Sequence, residues 1–122
     1  MTARSQQDPN AALPLTHVSY YVLLALTTEN RHGYGIIKEV EDRTEGGVEL
    51  EAGTLYAAIK RMKDDRLIED APTLPGADPR RRMYAITGYG RKVLLAESRR
   101  LEAMVELARK ANVLPTPRQA KA

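Results

Sequence analysis

The fold of this chain is decided by the stretch GTLYAAIKRMKDDRLIEDAPTLPGADPRRRMYAI, which occupies residues 53–86. Its first part places Leu55, Ile59 and Met62 at helical spacing, so we expect a helix with one apolar side. Two short runs that favour extended backbone follow, and a segment rich in proline, glycine and arginine separates them. A short basic helix followed by a hairpin with an arginine-rich tip is typical of a winged helix.

The predicted winged helix would present basic side chains to a DNA duplex. Such a helix fits the major groove, and a wing reaches neighbouring phosphates or the minor groove. Lys60 and Arg61 project away from the apolar side of the helix, whereas Asp64 and Asp65 end its basic character. Residues 53–92 carry nine Lys or Arg against five Asp or Glu, a local net charge of +4. This basic stripe indicates polyanion binding more strongly than the whole-chain net charge of +3.

The composition excludes several classes of protein. A chain of 122 residues suits a single domain, and its core must be aliphatic because tyrosine supplies all six aromatic residues. The absence of cysteine excludes disulfides and thiolate metal sites. His17 and His32 are the only histidines, so we expect neither a metal nor another cofactor. No apolar run approaches the roughly 18 residues of a membrane span, and the start lacks a signal-peptide core. A soluble, cytoplasmic protein without membrane contact is therefore expected.

The rest of the chain predicts three further helices, for a fold that is mainly α with a small β hairpin. We expect helices from Thr16 to about Glu29, from Tyr34 to about Glu45 and from Thr87 to about Asn112, with a turn at residues 30–33 between the first two. Residues 48–51 alternate like a short strand and are expected to pair with the hairpin. The predicted organisation is a flexible arm over residues 1–14, a winged helix-turn-helix over 15–87, a dimerisation helix over 88–114 and a disordered tail over 115–122.

The last predicted helix carries an apolar stripe that resembles a coiled-coil seam. Leu94, Leu101 and Ala108 lie seven residues apart, and Glu97 interrupts the pattern. A long amphipathic helix added to a complete domain must bury its stripe, most simply against its copy in a second subunit. The predicted homodimer interface consists of Leu94, Leu101, Met104, Leu107, Ala108 and Ala111.

Five sequence blocks together resemble the PadR-type transcriptional regulators, specifically their short subfamily with one C-terminal helix. The blocks are Tyr20–Leu26, His32–Ile36, Gly53–Tyr56, Leu67-Ile68 and Arg81–Thr87 with Gly90. They occur in the order and spacing of that family and cover roughly residues 16–112. The resemblance implies a homodimeric winged helix-turn-helix repressor that binds an inverted-repeat operator in double-stranded DNA. In many members a small molecule releases the protein from DNA.

Residue chemistry and the resemblance together predict the DNA contacts. The resemblance implies that a tyrosine at the start of the second helix hydrogen-bonds a phosphate and that the ring of Tyr56 lies at the DNA surface. Small residues at the start of the third helix let its backbone approach the bases. Consecutive arginines at a hairpin edge suit phosphate or minor-groove contact. The predicted DNA-binding residues are Tyr34, Gly53, Thr54, Tyr56, Lys60, Arg61, Arg80, Arg81 and Arg82.

Two departures from the family pattern carry further expectations. Arg66 stands where members often have a glycine before the wing, and a left-handed backbone is unfavourable for arginine, so we expect that corner to be built differently. Tryptophan, on which multidrug-binding members stack planar drugs, is absent. Tyr20, Tyr21, Leu101 and Met104 either line an effector pocket at the dimer interface or only pack that interface, and both interpretations stay open.

Two other functional classes compete with a DNA-binding regulator. A winged-helix module for protein–protein interaction would have little intrinsic DNA specificity, and an apolar or acidic third helix would suit it better than this basic one. An enzyme would need a nucleophile, a base or a metal site, and the sequence offers no such set. We therefore do not expect an enzyme.

Overall fold

The computed structural model describes residues 8–73, 75–78 and 81–116, and within them four α-helices surround a small antiparallel sheet. The helices are α1 (His17–Ala25), α2 (Gly33–Arg43), α3 (Ala52–Asp64) and α4 (Gly88–Lys110), and a short 3₁₀ helix (Pro9–Ala12) precedes them. The strands are β1 (Arg31–His32), β2 (Ile68–Ala71) and β3 (Met83–Ile86), in the order β1-β3-β2. The predicted mainly α winged helix-turn-helix is confirmed.

One aliphatic core joins the three-helix unit, the wing and the first half of α4. Val22 of α1, Ile36 of α2, Leu55 of α3 and Val93 of α4 have no exposed surface. In the wing, β2 and β3 pair antiparallel, β3 turns alternate side chains towards this core, and β2 contributes the buried Ile68. The position of α3 is therefore determined by apolar residues on one side, which leaves its other side open.

The third strand of the sheet is β1, and the prediction of a strand at residues 48–51 is wrong. β1 lies in the connection between α1 and α2, which the sequence indicated only as a turn, and it pairs with β3. Residues 48–51 instead form an irregular segment after α2. The Val48 N–H donates to the Thr44 hydroxyl at 3.0 Å, which attaches this segment to the end of the helix. Leu50 packs into the core from that segment.

The helix starts at the two threonines are confirmed. Thr16 and Thr87 are N-caps, and each hydroxyl accepts the backbone N–H three residues later, at 3.1 and 2.8 Å. α1 is shorter than expected, since it ends at Ala25. The Arg31 Nε donates to the carbonyl of Ala25 at 2.7 Å, so a side chain from β1 satisfies the end of this helix.

The corner between α3 and β2 contradicts the expectation drawn from Arg66. This residue adopts the left-handed backbone, with φ of 63°, that a glycine would favour. The N–H of Leu67 donates to the carbonyl of Met62 at 2.9 Å, the i to i−5 closure of a Schellman motif. Burial of Leu67 anchors the turn from the other side. The corner thus has the same geometry as with glycine, at the cost of backbone strain.

The N-terminal arm needs correction from residue 8 onward. The Asp8 carboxylate accepts the N–H of Asn10 and caps the 3₁₀ helix, which packs against α4. Leu13 and Leu15 then pack against the core. Residues 1–7 lie outside the described part of the chain, as does most of the predicted tail.

Glu97 attaches this N-terminal segment to α4. Its side chain is only 2% exposed, and its Oε2 accepts the backbone N–H of Leu15 at 3.1 Å. Arg100 donates to both carboxylate oxygens, at 2.6 and 2.9 Å. The hydrogen bonds from Arg100 lower the pKa of Glu97, with a further contribution from Leu15, although burial opposes them. A residue that interrupts the apolar stripe in the sequence is therefore a structural anchor.

The two halves of α4 have different environments. Leu94 is 7% exposed and belongs to the core of its own chain, which leaves little of it for a second subunit and corrects its assignment to the dimer stripe. From Leu101 to the end of α4, all of which the structure describes, no residue is buried. Met104 and Leu107 are 54% and 65% exposed. None of the described helices combines the length and apolar character that a membrane crossing requires.

Candidate nucleic-acid interface

Three of the predicted DNA contacts meet in one groove, although they come from distant parts of the chain. Tyr34 from the start of α2, Tyr56 from α3 and Arg81 from the loop between β2 and β3 line a cavity of about 300 Å³. Tyr34 is 65% exposed and Tyr56 is 45% exposed, and these fractions are high for tyrosine, which is usually at least partly buried. Both side chains are therefore accessible to a ligand.

The position of Tyr56 depends on the absence of a side chain at Gly33. A Cβ built on Gly33 would lie 2.1 Å from the Tyr56 hydroxyl oxygen and 2.5 Å from its Cζ. The hydroxyl consequently lies directly against the first turn of α2. Unpaired backbone N–H groups and the helix dipole make such a turn favourable for a phosphate. Sequence reasoning missed this role and treated Gly33 only as part of a turn.

His32 organises the same helix start. Its Nδ1 accepts the N–H of Gly35 at 3.0 Å, which makes His32 the N-cap of α2 and assigns the ring proton to Nε2. Its ring stacks against that of Tyr34, with centroids 6.4 Å apart and planes 17° apart. Sequence reasoning used His32 to argue against a metal site and as part of a family block, and it missed this positioning role. The signal available was its place immediately before a helix start.

The outer side of α3 is open along its first two turns. Gly53 and Thr54 are exposed, and a Cβ on Gly53 would meet nothing within 4 Å. Lys60 is exposed two turns later on the same side as Gly53. The Thr54 hydroxyl lies 3.4 Å from a carboxylate oxygen of Glu51, a weak contact that leaves it available to another acceptor.

Arg61 lies apart from this groove. It lines a different cavity of about 670 Å³, between the end of α3 and the N-terminal segment, together with Asp8. Lys63 is also diverted, because its Nζ pairs with Asp70 of β2 at 2.9 Å and lies 6.0 Å from the ring centre of Tyr84. Basic character on the open side of α3 therefore ends near Lys60. The sequence placed this end slightly later, at Asp64 and Asp65.

The wing arginines that the structure describes are exposed. Arg81 and Arg82 precede β3, and the Arg81 N–H donates to the carbonyl of Asp78 at 2.7 Å. Asp78 lines the same groove as the two tyrosines. The predicted contact Arg80 lies outside the described residues. Arg81 is thus the wing cation beside the start of α2, and Arg82 lies next to it at the strand.

The residues predicted for an effector pocket are partly brought together. Tyr20, Tyr21 and Leu101 line a cavity of about 270 Å³ between α1 and α4. The Tyr20 hydroxyl is 2.8 Å from that of Ser98, which joins the two helices. Met104 lies one turn beyond, where its sulfur accepts a contact from Arg100 at 3.3 Å. Among the described residues, no three His, Asp or Glu side chains form a group that could hold a metal ion.

Comparison with known proteins gives consistent results. A family model described as the transcriptional regulator PadR-like family matches residues 22–96. The structure is similar to that of a transcriptional regulator from Clostridium thermocellum, with a TM-score of 0.68 and 26% identity over 77% of this chain and 88% of the other. It is also similar to a PadR family transcription regulator from Clostridium difficile, with a TM-score of 0.65 and 23% identity over 78% and 97% of the two chains.

A third similar structure is that of Bacillus subtilis PadR in complex with operator DNA. Its TM-score is 0.57 and its identity is 20%, over 88% of this chain and 54% of that chain. At these identities the Clostridium difficile and Bacillus subtilis structures show the fold alone. The family model and the structural neighbours confirm the resemblance drawn from the five sequence blocks.

Proposed function

This chain belongs to the PadR-like family of transcriptional regulators, and from that premise we propose that it is a sequence-specific DNA-binding repressor that binds an inverted-repeat operator as a homodimer. The observation that carries the proposal is the groove in which Tyr34, Tyr56 and Arg81 meet beside the first turn of α2. Two hydroxyl donors, a guanidinium and the N-terminal end of a helix are groups that bind DNA phosphate. A DNA-binding role implies the compartment that holds the DNA, which we propose is the cytoplasm.

In the proposed complex, α3 enters the major groove with its open side towards the bases. Gly53 and Thr54 lie at its N-terminal end, where recognition helices approach base edges most closely. Lys60 follows on the same side and reaches a phosphate across the groove. Arg81 and Arg82 contact the neighbouring backbone or the minor groove from the wing. The arrangement separates base contacts on α3 from backbone contacts at its two flanks.

The proposed homodimer rests on the second half of α4. Leu101, Met104, Leu107 and Ala108 lie beyond the part of α4 that packs on the core of its own chain, and the exposed Met104 and Leu107 would be covered by a second subunit. A two-fold pair of subunits would hold two recognition helices about one helical turn of DNA apart. A small molecule bound in the cavity at Tyr20 and Tyr21 would lie beside α4 and could change how the two subunits pack. We propose that an effector releases DNA in this way.

The decisive experiment is selection of genomic DNA fragments from the source genome by the purified protein at two salt concentrations. A repressor retains one or a few fragments, and their affinity falls steeply with salt because phosphate contacts release counterions. The double variant Tyr34→Phe, Tyr56→Phe should lose most of that affinity, whereas Tyr89→Phe, at the start of α4 and outside the groove, should not. If no fragment is preferred over bulk DNA, the winged helix serves protein–protein interaction instead.

A further inference from the structure

A second groove, on another side of the molecule, lies between the 3₁₀ helix and the first half of α4. Its volume is about 520 Å³, within the range of small-molecule sites. Pro9 and Leu13 form one wall, and Leu95 and Ala96 of α4 form the floor. Leu95 is 52% exposed, although it lies in the half of α4 that packs on the core. The groove thus offers apolar surface that the described chain leaves uncovered.

Positive charges stand at both ends of this floor. Lys92 and Arg99 line the groove seven residues apart on α4, about 10 Å along the helix axis. Neither forms an ion pair with any residue that the structure describes. Arg100 also lines the groove, but its guanidinium is bonded to Glu97. No Asp or Glu is among the lining residues.

The groove is held in shape by an interaction that lies next to it. The buried carboxylate of Glu97 binds the backbone of Leu15 on one side and Arg100 on the other, which fixes the N-terminal segment to α4. The 3₁₀ helix, which begins six residues before Leu15, also packs directly against α4. A ligand would therefore bind to a preformed site, and little conformational entropy of the protein would be lost on binding.

We propose that this groove binds a medium-chain carboxylate. The carboxylate pairs with Arg99 or Lys92, and the hydrocarbon chain lies over Leu95 and Ala96 against Leu13. An apolar floor favours a hydrocarbon, while cations without a carboxylate in the lining favour an anion and disfavour an ammonium. This site does not depend on the proposed DNA-binding function.

A second copy of the chain suits the groove less well. A two-fold contact through this surface would bury the same patch of both copies. Lys92 and Arg99 of both copies would then share one interface to which the groove contributes no acidic residue. Like charges at such a contact oppose association.

Octanoate is the probe that tests the site in the full-length protein. Calorimetry should show saturable binding of octanoate, with amide NMR shifts centred on Leu13 and residues 92–99, and weaker binding of octanol and octylammonium. The double variant Lys92→Gln, Arg99→Gln should lower the octanoate affinity about five- to tenfold. The control Lys38→Gln, Lys110→Gln removes two exposed charges elsewhere and should leave it unchanged.

Three outcomes would overturn the proposal. These are equal binding of octanoate and octylammonium, unchanged octanoate affinity in the groove variant, and NMR shifts centred on the cavity at Tyr20. Leu95→Asn is a second variant, which tests the apolar floor of the groove. It should weaken octanoate binding without changing the sedimentation coefficient. If it instead dissociated an oligomer, the groove would be a contact between copies of the chain.

Discussion

The hydroxyl of Tyr56 lies where any side chain on Gly33 would have to go, since a Cβ there would come within 2.1 Å of it. Because this contact joins α3 to the first turn of α2, it fixes the relative position of two of the surfaces proposed to bind DNA. Gly33 is buried while the neighbouring Tyr34 is exposed. The glycine therefore serves packing, and the tyrosine after it stays free for a ligand.

Replacing Gly33 by alanine should displace Tyr56. Because the clashing atoms are the far end of a half-exposed side chain, we expect a cost in unfolding free energy below the roughly 1–3 kcal/mol of core overpacking. Urea denaturation of Gly33→Ala, Tyr56→Ala and the double variant measures the coupling. The cost of the alanine should shrink markedly when Tyr56 is already truncated. Equal costs in both backgrounds would show that the two residues do not compete for space.

Gly53→Ala is the contrasting change, because its new methyl group would meet nothing within the chain. Alanine favours helix over glycine by up to about 1 kcal/mol, so the unfolding free energy should rise. Operator affinity, measured by gel shift or fluorescence anisotropy, should fall if the backbone at Gly53 approaches the bases. An increase in stability with unchanged operator affinity would remove this residue from the proposed interface.

Arg66→Gly should stabilise the protein. Arg66 has φ of 63°, and a glycine adopts that backbone without strain, so we expect a gain of roughly 0.5–1 kcal/mol despite the greater freedom of the unfolded chain. Asp65→Gly is the matched control, since Asp65 has φ of −86° and gains nothing from glycine. Thermal and urea melts of both variants check the difference. A loss of stability in both would mean that the Arg66 side chain, rather than its backbone, matters to the corner.

Acid should weaken the attachment of the N-terminal segment through Glu97. Because the hydrogen bonds from Arg100 lower the folded-state pKa, the carboxylate stabilises the fold above the ordinary glutamate pKa. That stabilisation is lost as the pH falls through the lower, folded-state value. Glu97→Gln should therefore flatten the dependence of the unfolding free energy on pH below the ordinary glutamate pKa. A variant whose acid sensitivity matched that of the unmodified chain would contradict this role.

Each wing arginine that contacts a phosphate should contribute to the salt dependence of operator binding. Losing one contact lowers the slope of log affinity against log salt by about 0.9 in B-form DNA, and a homodimer doubles the change. We expect Arg81→Ala to lower the slope by about two units with little change in thermal stability. Lys63→Ala is the control, because its ammonium is held by Asp70. The wing would be excluded from the interface if both variants kept the original slope.

What the sequence by itself determined is local. The threonine caps at Thr16 and Thr87, the apolar side of α3 and the apolar pairs of the wing follow from hydrogen-bonding groups and spacings within a few residues. These features were enough to predict the winged helix, its helix order and the exposed side of α3 with Gly53 and Thr54.

Only the tertiary structure decided the features that depend on residues distant in the sequence. The pairing of β1 with β3, the fit of Tyr56 against Gly33 and the attachment of Leu15 to Glu97 each join positions separated by more than twenty residues. No periodicity records such contacts, because they depend on how two surfaces meet once the core has formed. For the same reason Leu94 and Leu101 look equivalent in the heptad pattern. In the structure the core of the chain buries Leu94, whereas it covers Leu101 only in part.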